Sequence, residues 1–159
     1  RNAHGRWPTM PTVIQISEAA SIALHSMVLI AGAGGANVTV KEIVSATGFS
    51  HAHSSKVLQQ LVRAGLLRST RGPKGGFLLS GPATGITLLA IWEAMEGPLG
   101  IDECIMSRNP GVCPFDSCIL AELPRRLSEQ FRGYLGSRTL ASVVEDIARG
   151  TRPHGEVGG

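Results

Sequence analysis

The residues most able to do chemistry in this chain are its three cysteines, Cys104, Cys113 and Cys118, spaced C-x8-C-x4-C in a loop with Asn109-Pro110-Gly111 and Pro114. Those neighbours favour tight turns over regular structure. An odd cysteine count with no secretory signal in view argues against a stable disulfide framework. Three thiolates in one short loop can instead converge on a metal centre. Thiolates are the usual ligands of iron–sulfur clusters, and with one histidine they would also make a tetrahedral zinc site. Redox thiols forming a switchable disulfide, or three unconnected cysteines, fit the spacing too.

Three cysteines leave one ligand position open, and the chain has five histidines. His4 and His154 lie near the ends. His51 and His53 stand two apart on an expected helix, where their side chains diverge by about 200°, so they suit base or phosphate contacts better than one shared metal. His25 differs. Between Ser17 and Ala31 nearly every residue is apolar, and Glu18, Ser21 and His25 form the polar stripe. Its alternative role is that of a hydrogen-bonded structural histidine.

A second group points to a polyanion. Lys56, Arg63, Arg68, Arg71 and Lys74 fall in a stretch with no acidic residue between Glu42 and Glu93. Such a face suits nucleic acid, whose condensed counterions are released on binding.

The elements that would position these residues are legible. Thr39-Val40-Lys41-Glu42 is a capping box, so a helix starts at Val40 and stops at Gly48. Ser50 can cap a second helix with Val57, Leu58 and Leu61 inward, ended by Gly65. Leu66–Ser69 and Gly76–Ser80 can then pair as strands around Thr70–Gly75. This is the order of a winged helix-turn-helix. In that fold Ser50, His51, His53, Ser54, Ser55 and Lys56 would read the major groove, and Arg71, Gly72, Lys74 and Gly75 would enter or flank the minor groove. Ile86 to Met95 reads as a third core helix, capped by Thr87. Leu120, Leu123, Leu127, Phe131 and Tyr134 then recur at three- and four-residue steps, predicting a long helix with one apolar seam and Pro124 in its first turns. With nothing intramolecular left to bury that seam, a two-fold partner is the simple solution. The expected class is mainly α with a small β wing, a winged helix-turn-helix plus a long C-terminal dimerisation helix.

At these residues the chain resembles the Rrf2 family of bacterial winged-helix transcription regulators, of IscR, NsrR and CymR type. The likeness rests on Val38 to Glu96, above all Arg71-Gly72-Pro73-Lys74-Gly75-Gly76-Phe77 after Ala64-Gly65-Leu66, and on Ile86-Thr87 through Glu96-Gly97-Pro98-Leu99. Where members usually have tyrosine then leucine in the recognition helix, this chain has His53-Ser54. The resemblance implies a homodimer on a pseudo-palindromic DNA operator, with helix Leu140 to Ala148 closing against the dimer helix. It also implies that Cys104, Cys113 and Cys118 hold an iron–sulfur cluster, 2Fe-2S in preference to 4Fe-4S. His25, or failing that Glu18, from the first helix of the opposite subunit would complete the ligands. Members without the cysteines are cluster-free regulators, and the alternative for this chain is likewise a cluster-free winged-helix regulator controlled by a protein partner or by thiol oxidation.

At 159 residues, 43% hydrophobic and +3 in charge, the chain is long enough for one domain plus extra helices. The expected organisation is an arm or cloning remnant at 1–9, the DNA-binding domain at 10–100, the cysteine loop at 101–118, dimerisation and C-terminal helices at 119–150, and a tail at 151–159. The apolar stretch from Ile22 to Ala33 is too short to span a bilayer, so a cytoplasmic protein without membrane contact is expected. No nucleophile–base pair is visible. Ala31-Gly32-Ala33-Gly34-Gly35-Ala36 lacks the preceding strand and following Lys-Ser/Thr of a phosphate loop, so no enzyme is expected. The expected function is a redox-, nitric oxide- or cluster-sensing repressor. An iron–sulfur carrier or electron-transfer protein, needing the cysteines but not the wing, is the alternative of another class.

Overall fold

The computed structural model describes residues 16–72, 75–99, 115 and 119–150. Lys74, Cys104, Cys113, Cys118 and both chain ends lie outside the described residues. The described residues form six α-helices and one two-stranded antiparallel sheet, in the order α1 (Glu18–Gly32), α2 (Val40–Thr47), α3 (His51–Arg63), β1 (Leu67–Thr70), β2 (Gly76–Leu79), a 3-10 turn at Ala83–Gly85, α4 (Leu88–Glu96), α5 (Leu123–Ser137) and α6 (Leu140–Ala148).

Local chemistry sets the helix starts. The hydroxyls of Ser17, Thr39, Ser50, Thr87 and Thr139 each accept the backbone N–H three residues on, relieving a free donor in the first turn. At α2 the capping box is complete: Glu42 accepts from the Thr39 backbone N–H at 2.7 Å while its own N–H donates to Thr39 Oγ1 at 3.2 Å. Gly48 closes α2 in the left-handed conformation at φ 76°, so α2, the turn and α3 stand where the sequence puts them. Leu66 and Ser80 fall just outside the strands: Leu66 N–H closes α3 on Leu61 O, and Ser80 N–H donates to Leu66 O.

The wing is tied to the body by a rung the sequence did not announce. Val38 and Phe77 exchange backbone hydrogen bonds of 3.1 and 2.9 Å, adding the residue before the Thr39 cap to the outer side of β2. A Cβ on Gly76 would lie 2.8 Å from Val38 O, and one on Gly75 would lie 2.5 Å from Thr70 O. The glycine pair is therefore required by backbone approach on both sides.

The main core surrounds α1, whose Ile22, Ala23, Met27 and Ile30 meet Ile43, Leu58, Leu61, Leu67, Phe77, Ile91 and Leu140. Within the protomer α6 packs on α1 and the 3-10 turn, with Leu140 fully buried in the main core. A two-residue bridge enforces this: Leu88 N–H donates to Arg138 O and Leu140 N–H to Ile86 O, both at 2.9 Å.

The single seam expected on α5 is divided. Pro124 lies in the first turn, where no backbone donor is lost. Phe131 meets Trp92 edge-on at 5.0 Å and Leu135 is buried, so one face of α5 packs on α4. Leu123, Leu127 and Tyr134 stay 50%, 42% and 59% exposed. Among the described residues no helix is long and apolar enough to cross a membrane.

Two outcomes follow from these contacts. Gly76→Ala should destabilise the protein by about 1–3 kcal/mol in urea unfolding, because the added methyl meets rigid backbone; unchanged stability would show that the Val38 rung yields freely. The Thr39 backbone N–H, then its hydroxyl, hold the Glu42 carboxyl below its ordinary pKa. That stabilisation is present above the unfolded-state pKa and lost as pH falls through the folded one. Glu42→Gln should therefore flatten the acid limb of the stability profile, whereas Thr39→Ala should also cost about 1 kcal/mol at neutral pH.

Candidate nucleic-acid interface and metal-ligand residues

Helix α3 buries Ser54, Val57, Leu58 and Leu61 and leaves His51, Ala52, Lys56, Gln59 and Arg63 exposed. Positions 52, 56, 59 and 63 follow the three- and four-residue steps of one helical face. Arg68 and Arg71 are exposed on β1 and just beyond it. The ion pairs among the described residues involve acids of α1, α4, α5 and α6 and the Glu122 turn, and none involves Lys56, Arg63, Arg68 or Arg71. Among the described residues, Lys56, Arg63, Arg68 and Arg71 thus carry positive charge that no carboxylate pairs with, which suits a phosphate backbone.

The expected reading residues separate into groups. Lys56 and His51 are exposed. Ser50 accepts the His53 backbone N–H at 3.2 Å as the helix cap, and Ser55 donates to His51 O at 2.8 Å. His53 is half-buried, with Nδ1 3.4 Å from Glu18 Oε2, which draws its ring toward the first turn of α1. Ser54 is a correction: it is fully buried, with Oγ unpaired among the described residues, and it lies on the inward α3 face, four residues before Leu58. Its side chain cannot reach a groove. Ala52 and Gln59 share the exposed face with Lys56, as the inward run of Val57, Leu58 and Leu61 already implies. In the wing, Gly75 N–H donates to Gly72 O at 2.9 Å, closing the tip next to Arg71.

Among the described residues no three His, Cys, Asp or Glu side chains gather as a metal site. What can be tested is the fit of His25. It is exposed on α1, and its Nδ1 lies 2.7 Å from Ser21 O. A carbonyl only accepts, so Nδ1 carries the proton and the neutral ring keeps its lone pair on Nε2. This is the arrangement of a metal-binding imidazole whose second nitrogen is held by a backbone carbonyl. The Phe49 ring, edge-on at 5.8 Å, fixes the ring further. His25 is therefore suited to the imidazole part of a thiolate–imidazole centre and is open to a ligand from outside its own helix, while the three cysteines lie outside the described residues.

The start of the cysteine segment is also held. Leu99 N–H donates to Glu93 Oε1 at 3.2 Å, and Arg132 Nη1 donates to Leu99 O at 2.7 Å. Ser17, the α1 cap, hydrogen-bonds Glu96 at the end of α4. The chain thus leaves α4 toward the cysteines from a point fixed to α1, α4 and α5.

Comparison with known proteins agrees with this construction. The family model described as Rrf2, iron-dependent transcriptional regulator, matches residues 16–146. The IscR HTH-type transcriptional regulator of Serratia proteamaculans is 31% identical over 109 residues, 69% of this chain and 65% of that protein. Protein aau3 of Rhizobium meliloti is 30% identical over 133 residues, 83% of this chain and 86% of that one. The structure of CymR, the global cysteine regulator of B. subtilis, matches with TM-score 0.68 and 25% identity, covering 83% of this chain and 97% of that one. T. potens IscR, at 22% identity, shares the fold with TM-score 0.69, over 90% of this chain and 95% of that one. Winged-helix elements, a basic face without protein counter-charge and a family match across most of the sequence lead to one conclusion: the chain belongs to the Rrf2 family of winged-helix transcription regulators.

Proposed function

We propose that the protein is a cytoplasmic, homodimeric repressor that binds a pseudo-palindromic operator and senses redox state, nitric oxide or cluster supply through an iron–sulfur centre. The observation that carries the DNA half is the unpaired basic face of α3 and the wing. Lys56, Gln59 and Arg63, with His51, Ser50 and Ser55 at the helix start, face the major groove; His53 contributes from the edge of that face. Arg71, Lys74 and the glycine tip Gly72–Gly75 meet the minor groove, where a guanidinium is favoured by the narrow groove's negative potential. The exposed side of α5 is the surface left for a second copy.

The sensing half rests on the thiolates of Cys104, Cys113 and Cys118 together with His25 of the partner subunit. The centre would supply a redox-active, gas-reactive iron site. Imidazole ligation raises the potential of such a site relative to all-thiolate binding, and imidazole donors occur in Rieske 2Fe-2S centres, which favours 2Fe-2S over 4Fe-4S. The chain's own contribution is to orient the His25 ring through Ser21 O at Nδ1, leaving Nε2 as the ligating nitrogen, and to fix the segment start at Leu99. Thiolates bind only where the loop brings them together, so loop order and ligand affinity are one free energy.

DNA binding is checked by titrating an operator duplex at several salt concentrations. Arg71→Ala should cost about 1–3 kcal/mol, and Lys56→Ala should lower the salt slope by about one if it neutralises a phosphate. Unchanged affinity and slope in both would remove this face from the interface. For the centre, replacing any one cysteine by Ala should abolish the visible absorption of anaerobically purified protein with helix content intact. His25→Ala should shift the absorption and potential of whatever centre remains. Full iron content in the triple cysteine variant, or an unchanged spectrum and potential in His25→Ala, would overturn the assignment.

A further inference from the structure

Among the unpaired cations Arg68 stands apart, because it lines a cavity. The cavity, of about 290 Å³, lies between the end of α1, the Gly34–Gly35 turn and the hairpin, and is walled by Ile30, Gly34, Gly35, Arg68, Leu78 and Leu79 among others. Strand register explains the placement. Arg68 pairs with Leu78, and since Leu67 and Phe77 at the alternate positions are buried in the core, Arg68 and Leu78 share the opposite face of the hairpin. The Arg68 guanidinium joins no ion pair among the described residues. Nor does the end of α1 call on it, because the carbonyls of Leu29, Ile30 and Ala31 accept from the N–H groups of Ala33 and Gly34. We infer that this cavity is a binding site for a small organic carboxylate with an apolar tail, and that its occupant acts as an effector on the wing.

Charge and shape each limit the ligand. A guanidinium presents a planar fork that matches a carboxylate through two parallel N–H···O bonds. One cation among walls that are otherwise aliphatic or glycine suits a single negative charge; a phosphate dianion would leave charge unmatched against apolar surface. Ile30, Leu78 and Ala83 offer a bed for a hydrocarbon tail. The volume stands at the small end of ligand pockets, which run from about 300 Å³ upward, so the tail is short. The glycine rim keeps the space open: nothing lies within 4 Å of where a Cβ would stand at Gly34, Gly35 or Gly81. An occupant would touch β1 at Arg68, β2 at Leu78 and Leu79, and the chain beyond it at Gly81. It would therefore press on the hairpin from its outer face while the Val38 rung holds its edge, altering how the wing is presented to a duplex. That last step rests on the proposed DNA interface; the site itself does not.

The test titrates the full chain with hexanoate and follows backbone amide NMR resonances, with acetate as the charge without the tail and hexanol as the tail without the charge. Hexanoate should shift Gly34, Gly35 and Gly81 saturably. Acetate, hexanol and the Arg68→Gln substitution should each weaken binding about tenfold or more. Gly81→Leu, whose added side chain starts in open space at the cavity wall, should block hexanoate while circular dichroism stays unchanged. In operator titrations, saturating hexanoate should change the dissociation constant of wild-type protein about fivefold or more and leave that of Gly81→Leu fixed. No saturable shift at the three glycines, hexanol binding as tightly as hexanoate, or wild-type hexanoate affinity in both variants would overturn the site. Unchanged operator affinity in hexanoate-saturated wild-type protein overturns the effector role. Weaker operator binding by Arg68→Gln with hexanoate binding intact assigns Arg68 to the DNA phosphates and overturns the site as well. If wild-type protein binds hexanoate at the glycines but binds no operator, the site stands and the DNA reading fails.

Discussion

Enclosing α1 is the constraint from which the rest of the structure follows. With Ile22, Ala23, Met27 and Ile30 inward, and Leu24, Val28 and Ala31 packed against the same core, the helix is apolar around most of its circumference. Such a helix is stable only when covered on several sides. It is covered by α3, α4 and α6, by β2 and more lightly by α2. The recognition helix, the wing strand and the C-terminal helix are therefore positioned relative to one another because each is positioned against α1. Apart from the fully buried Ser26, the polar groups at and near the exposed side of α1 meet neighbouring elements. Ser17 meets the end of α4, Glu18 meets His53 on α3, and His25 opens on a groove beside α6. A helix that serves as the packing hub thereby also touches α3 through Glu18 and the end of α4 through its cap.

Charge is distributed to match. The carboxylates pair within α5 and α6, or tie the ends of α1 and α4, as in Arg138–Asp146 at 2.5 Å and Arg125 with Glu122 and Glu129. The exposed pairs of Arg125 contribute little to stability, and apart from Glu18 beside His53 the paired acids of the described residues lie outside α3 and the wing. The absence of acid between Glu42 and Glu93 thus leaves Lys56, Arg63, Arg68 and Arg71 outside those ion pairs.

Much of the DNA-binding part was legible because short-range chemistry decides it. The Thr39–Glu42 box, Gly48, Ser50 and the Gly65 turn fix α2 and α3 within a few residues, and each lies as the sequence indicates. Contacts set by distant parts of the chain were not legible. Nothing in the spacing of Val38 marks it as a sheet rung, and nothing in the period of α5 tells Phe131, which finds Trp92, from Leu127, which finds no cover. Ser54 shows the same limit. A serine beside a basic residue reads as a DNA contact, yet α3 turns about 100° per residue, and Ser54 follows the buried side set by Leu58. The placement of α6 depends on the Thr87–Thr139 bridge, a pairing of single residues 52 positions apart that leaves no local signature.

The Val38–Phe77 rung has a mechanical meaning. It joins the hairpin directly to the residue before the α2 cap, and the hairpin's other strand follows α3 after one turn. The hairpin is thus braced from both ends of the helix pair and cannot swing alone. Under the proposed interface, a calliper of this kind would offer a duplex one fixed separation between the contacts of α3 and those of the wing. Any mismatch in groove width must be absorbed by bending or narrowing the nucleic acid, whose stiffness varies with base step. Base pairs that neither jaw touches then influence affinity through their compliance.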